Sequence, residues 1–320
     1  MNREIKEAPK AKTEDKKDFS KQEPKVASIL RCNTLSHSGE GIHLFGHVQQ
    51  SKNRGLCQDS VCMFSSELFS LAGVFDGFGP EGGLFSETIA ENVIEICEKK
   101  KKQLFSKNDV IKILKAAVQT AIDNLQPPIA GGSTAAIGVL LPTNKYIIVS
   151  VGDSPSYILN KTSVNRLFDY NSVYTDFKSP LFSLEEAGLS PVNYASCRHI
   201  LKDYINEEGI AGHALLGTEG FLEPGGSILL GSDGLTKNLL AVMNDKGRVI
   251  DVGGSWDLFS LIRDVNEPQK IAELIVSKID LRISGAVRKC RDKAEIFEYS
   301  DGTVLMAQDD DFSLTMISRL

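Results

Sequence analysis

Cysteine does little organising in this sequence. The six cysteines, Cys32, Cys57, Cys62, Cys97, Cys197 and Cys290, form no CxxC pair and no cluster with histidine. That scatter argues against a zinc site and for a reduced, intracellular chain. The five histidines, His37, His43, His47, His199 and His213, lack ligand spacing and read as surface or core residues. No run approaches the roughly eighteen consecutive apolar residues of a membrane span, and the N-terminus lacks the apolar centre of a secretory leader. Positive charge is not in excess either. A formal net charge of -6 argues against a nucleic-acid-binding surface. With 42% hydrophobic and 24% charged residues, the composition suits a globular chain with a large core. The expected setting is the cytoplasm or nucleus, with no membrane and no nucleic acid as partner.

The first 25 residues hold eight Lys/Arg and six Asp/Glu and few apolar side chains, too few to offset the entropy of ordering. A disordered tail over 1–28 and one domain over 29–320 are therefore expected. Short apolar strands are predicted from Ile42 onward, at 60–64, 69–75, 145–151, 156–160, 227–232 and 312–318. Phe85, Ile89, Val93, Ile96 and Cys97 recur at helical spacing and run out into Lys99–Lys102, where positive charge suits a helix C-terminus. A second helix opens on a capping-box pattern, Ser106 to Asp109, and stops at Pro127-Pro128. A third is expected after Pro268, with Ile271, Leu274, Ile275 and Ile279 inward, and Trp256 with Leu258, Phe259 and Leu261 reads as helix packing. This order lacks the alternating rhythm of a doubly wound sheet, and antiparallel sheets packed together with helices outside fit it better.

Carboxylates stand at the ends of the apolar strands. In "GVFDGFGPEGG" the run leads into Asp76, and a simple turn is the first reading, with the strand ending there. The same oddity recurs: "YIIVSVGDSPSYIL" ends on Asp153, "GSILLGSDGL" on Asp233, "MAQDDDFSLTMISRL" opens the last strand with an acidic triplet, and Asp59 in "GLCQDSVCMF" precedes another. Five such segments point to a hard-cation site, because Mg²⁺ and Mn²⁺ take oxygen ligands that separate strands can supply. Gly77 and Gly234, each following an aspartate, allow close approach of the backbone, and Gly77 can offer its carbonyl.

These segments resemble the metal-dependent Ser/Thr protein phosphatases of type 2C, the PPM family, over nearly all of residues 42–320. "NRGLCQD", "VFDGFGPEGG", "GGSTAAIGVLL", "VSVGDSPSYIL", "ILLGSDGLTKNL" and "DDFSLTMI" are similar to six family motifs, in the family's order. The resemblance implies an α+β fold, an αββα four-layer sandwich of two central, mainly antiparallel sheets flanked by helices, with a variable flap at about 160–225. It implies two Mg²⁺ or Mn²⁺ ions. Asp76 would bridge them, Gly77 would lend a carbonyl, Asp233 and Asp310 would complete one ion, and Asp153 would hold a weaker third. Asp59 would orient metal waters and Arg54 would hold the substrate phosphate. The implied activity is hydrolysis of phosphoserine and phosphothreonine in proteins by a metal-activated water, in a monomer.

Two departures matter. Phe78 stands where many relatives carry a histidine thought to protonate the leaving oxygen, a loss on the order of 10²- to 10⁴-fold, so reduced activity is expected. Lys237 replaces an aspartate that the family often has four residues past the one matching Asp233; it is expected either near Asp153, supplying the charge of the third ion, or exposed to solvent. Gln58 replaces an acidic residue of some relatives, though others share the glutamine, and Pro155 replaces the usual arginine. The alternative reading is a pseudophosphatase, a module that binds phosphoproteins without turnover.

Overall fold

A computed structural model of the chain describes residues 26–30, 34–39, 41–51, 56–102, 105–168, 204–210, 215–239, 241–243, 249–251, 254–289, 295–298, 303–307 and 310–320. Every strand pair among them is antiparallel. The first sheet runs in the order β1 (Val26–Leu30), β4 (Asp59–Ser65), β5 (Ser70–Phe78), β7 (Ala135–Leu140), β8 (Lys145–Val151) and β13 (Leu216–Phe221). Short β6 (Gly132–Ser133), β11 (Ile205–Asn206) and β12 (Gly209–Ile210) extend it from the end of β5. The second sheet runs β10 (Val164–Arg166), β9 (Ser156–Leu159), β14 (Ser227–Gly231), β19 (Phe312–Arg319), β3 (Ile42–Gln49) and β2 (Thr34–Gly39).

Side-chain alternation sorts the core into three layers. In the first sheet Leu71, Phe75, Ile137 and Val149 face α1 (Gly82–Lys100) and α2 (Lys107–Leu125), whose Phe85, Ile89, Val93, Val110 and Leu114 cover them. The alternate residues Val61, Met63, Ala72, Val74 and Ile148 meet Leu44, Val48, Ile228, Leu230 and Ile317 of the second sheet. On the far side of that sheet Phe45, Leu229, Leu314 and Met316 pack under α4 (Ser255–Ile262) and α5 (Pro268–Lys289). Two faces buried on every central strand explain the near-continuous apolar runs. The result is the expected αββα sandwich of two antiparallel sheets between helices.

The helix signals appear in place. Ser106 Oγ accepts the Asp109 amide at 3.3 Å while Asp109 Oδ2 accepts the Ser106 amide at 3.0 Å, closing the capping box that starts α2.

Several details depart from the sequence reading. Residues 26–28, assigned to the tail, are the first positions of β1, which pairs with β4 from Val26 opposite Ser65. A third sheet of β16 (Val249–Asp251), β15 (Ala241–Met243), β18 (Thr303–Ala307) and β17 (Glu295–Glu298) was not expected, because its strands are too short to show a period. Trp256 is half exposed on α4 rather than packed beneath it. Most importantly, β5 does not end on Asp76. It continues to Phe78, since Gly77 and Phe78 pair with Ser133 and Gly132 of β6.

Candidate metal centre

The inward alternation that builds the middle layer continues to the sheet end, where carboxylates replace the aliphatic groups. Asp59 begins β4 directly opposite Asp76 of β5, and both follow the parity of Val61 and Val74, so they point between the sheets. The Asp76 backbone is held by Thr134, whose amide donates to the Asp76 carbonyl at 2.8 Å and whose Oγ1 accepts the Asp76 amide at 3.3 Å. Gly77 fills a slot with no room for a side chain: a Cβ there would stand 2.6 Å from the Gln58 carbonyl oxygen.

Two further carboxylates arrive from the connections of the second sheet. Asp153 lies in the β8–β9 turn and is buried. Asp233 starts α3 (Asp233–Lys237), a single helical turn after β14, and its amide reaches Asp76 Oδ2 at 3.4 Å. Gly234 lets this turn lie against the start of β19, where a Cβ would run into the Asp311 carbonyl oxygen. One oxygen from each of Asp76, Asp153 and Asp233 falls within 4.8 Å of the others.

Lys237, four residues after Asp233, projects from the same side of the turn. Its Nζ lies 2.5 Å from Asp233 Oδ2 and also bonds Asp310 Oδ2, with only 7% of its side chain exposed. The solvent-exposed alternative for Lys237 is thereby corrected: the side chain is buried and two carboxylates take its charge.

The electrostatics follow from burial. Burial, then the charge of Asp311, pushes Asp59 up to about 8, with the Ser232 and Ser313 hydroxyls pulling the other way. Those hydroxyls act only loosely, since neither Asp59 oxygen completes a hydrogen bond of full geometry. Burial followed by the Asp59 and Asp233 charges holds Asp76 well above the ordinary carboxylate range. Burial and Asp233 push Asp153 up to about 7, against the Lys237 charge. Burial works against the Lys237 ammonium too, yet Asp233, Asp310 and Asp76 outweigh it and hold its pKa above the ordinary value. Crowded carboxylates, with both Asp59 oxygens buried and without a full hydrogen bond, are the donor set that Mg²⁺ or Mn²⁺ takes, and a divalent charge would reverse these shifts. On that chemistry the residues fit a hard cation.

No protein-family model matches the sequence, and neither does any curated protein. Solved structures do match. The PPM Ser-Thr phosphatase MsPP from Mycobacterium smegmatis, in complex with cacodylate, is 17% identical, with 87% of this chain and 97% of that one covered at a TM-score of 0.53. The serine/threonine phosphatase Stp1 from Staphylococcus aureus is 13% identical, covering 87% and 94% at 0.58. RsbX, solved in complex with magnesium, is 14% identical, covering 90% and 100% at 0.51. This is the fold of the PPM Ser/Thr phosphatases.

Of the residues that the PPM resemblance singles out, Asp59, Asp76, Asp153, Asp233 and Asp310 gather at this end of the sandwich, and Gly77 adjoins Asp76. Arg54 lies outside the described residues. Asp311, the neighbour of Asp310 in the acidic triplet, accepts the amides of Ser51 and Gln58, both at 2.8 Å. Phe78 makes an edge contact with Tyr204, ring centroids 5.3 Å apart. Sequence reasoning missed Thr134 and Ser154, whose hydroxyls bond each other beside Asp76 at 2.5 Å. The serine and threonine inside the motifs were the available signal.

Proposed function

We propose that the chain is a metal-dependent phosphoprotein phosphatase acting on phosphoserine and phosphothreonine. The observation that carries this reading is the convergence of Asp76, Asp153 and Asp233 beside a buried Asp59 without a full hydrogen bond, at the end of a PPM-type sandwich. Asp76, Asp153 and Asp233 would hold Mg²⁺ or Mn²⁺, with the Gly77 carbonyl and Asp310 as the remaining candidates for a two-ion set. A divalent ion there supplies charge neutralisation for the phosphoryl group and a water acidic enough to ionise near neutral pH. Arg54 would grip the phosphate, since its guanidinium fork matches two phosphate oxygens. Asp59, paired directly opposite Asp76, would accept a proton from the attacking water. Phe78 offers no proton to the leaving oxygen, so solvent must supply it, and turnover is slower for that reason.

Phosphoproteins are the proposed substrates and a cytoplasmic monomer the proposed form; no helix among the described residues is long and apolar enough to cross a membrane. The test is manganese-dependent hydrolysis of p-nitrophenyl phosphate and of a phosphothreonine peptide, against Asp76→Asn. Clear activity above that control supports the enzyme. Equal rates in both assays, with folded protein, would instead favour a phosphoprotein-binding module, the reading that Phe78 and the ion-paired Lys237 favour.

A further inference from the structure

Lys237 sits where a cation is required, and it is itself a cation. Asp233 and Asp310 come from different parts of the chain, α3 and the segment two residues before β19, and the ammonium joins them. Both lysine and Asp310 side chains are almost fully enclosed, at 7% and 4% exposure, so water does not compete for this charge. The turn that carries Lys237 is fixed on several sides. Gly234 lies against the Asp311 backbone, Asn238 Nδ2 donates to the Gly234 carbonyl at 2.9 Å, and Arg282 Nη1 donates to the Asn238 carbonyl at 2.7 Å. Leu235 is wholly buried between these contacts. A lysine anchored this way cannot leave without exposing its own stem and stranding the buried Asp310 carboxylate beside the part-buried Asp233. A divalent ion placed between Asp233 and Asp310 would meet the ammonium at contact distance, with like charges opposed in a poorly hydrated space.

We propose that the Lys237 ammonium permanently takes the place of one of the two ions, so that the chain carries a single divalent ion, held by Asp76, Asp153 and Asp233. The inference rests on reading these carboxylates as a metal site, but not on turnover. A chain that binds one ion and hydrolyses nothing would end the phosphatase reading and leave this one standing. Lys237 then supplies a fixed single charge on the Asp310 side, independent of the metal concentration.

The experiment is a count of Mn²⁺ bound by the full, metal-stripped chain, by calorimetric titration and by electron paramagnetic resonance at saturating Mn²⁺. One ion per chain with the spectrum of an isolated Mn²⁺ is expected for the natural sequence, and one additional ion for Lys237→Ala. Two ions in the natural chain, a spin-coupled spectrum, no bound ion, or equal counts in the two proteins would each overturn the proposal. Should Lys237→Ala fail to fold, the spectrum of the natural chain still decides: isolated spins support it, and coupled or absent spins overturn it.

Discussion

Arg282 of α5 grips Asp257 of α4 with both terminal nitrogens, Nη1 at 2.5 Å from Oδ2 and Nη2 at 3.1 Å from Oδ1. The same Nη1 caps the carbonyl of Asn238, where the metal-site turn α3 ends, so one guanidinium ties the helix layer to the candidate centre. Both side chains are largely enclosed. Removing one partner of such a pair costs about 3–5 kcal/mol, whereas replacing both by apolar groups is often close to neutral. Arg282→Met is expected to lose stability in that range, read as a urea midpoint, and Arg282→Met with Asp257→Leu to recover most of it. A single variant as stable as the natural chain would deny the pair its structural role.

Gly234→Ala tests the close approach of α3 to β19. The glycine is helical, so backbone strain is not the issue; the added methyl would collide with the Asp311 carbonyl oxygen. Overpacking of this kind costs about 1–3 kcal/mol, and the displaced turn should weaken Mn²⁺ binding at the same time because it carries Asp233. Thermal unfolding with and without Mn²⁺ separates the two effects: the variant should melt lower in both conditions and gain less from the ion.

What could be read from the residues alone divides along a physical line. Signals confined to one turn of chain were legible: the spacing of Phe85, Ile89, Val93 and Cys97, and the Ser106–Asp109 box, depend only on near neighbours, and α1 and α2 stand where they pointed. The aspartates were legible because a carboxylate ending an apolar strand is costly unless something uses it. Lys237 was legible only in part: a place beside the third-ion aspartate was one of two readings, and its partner Asp310, 73 residues away, carried no local signal. The extension of β5 past Asp76 was hidden for the same reason, its partner strand Gly132–Ser133 being two residues long and remote. Short β15 to β18 left no period to detect.

The second sheet carries a pH dependence. His43 and His47 of β3 lie on the face under α5, flanking Phe45. Burial lowers the pKa of both; His37 adds to this at His43 against Glu273, and Gln49 and Asp280 oppose it at His47. Both rings thus stay neutral in the folded chain at a pH where the unfolded chain, with histidine near about 6.5, has taken up protons. Their contribution is fully present above that value and is lost as pH falls through the lower folded values. Urea midpoints at pH 7.5 and 5.0 should therefore drop further in the natural chain than in the double variant His43→Gln, His47→Gln, a comparison in which shifts from the carboxylate cluster cancel. Equal drops would remove the histidines as the cause.

Asp311 lends itself to a kinetic test. By accepting the Ser51 and Gln58 amides on separate oxygens, it draws together the two ends of the segment that contains Arg54. Hydrogen bonds to a charged acceptor contribute about 1.5–3 kcal/mol, and Asp311→Asn keeps one acceptor while turning an amide group toward the other N–H, so one end is released. If Arg54 binds the phosphate equally in ground and transition states, the cost falls on KM rather than kcat. A rise in KM for p-nitrophenyl phosphate of about tenfold, equivalent to about 1.4 kcal/mol, is expected with a smaller change in kcat. Arg54→Ala should raise KM by at least as much. Combining the two should add little to Arg54→Ala alone, because residues that act through one contact are not additive. A fall in kcat at constant KM would instead place Asp311 on the metal side of the site, acting through its charge on Asp59.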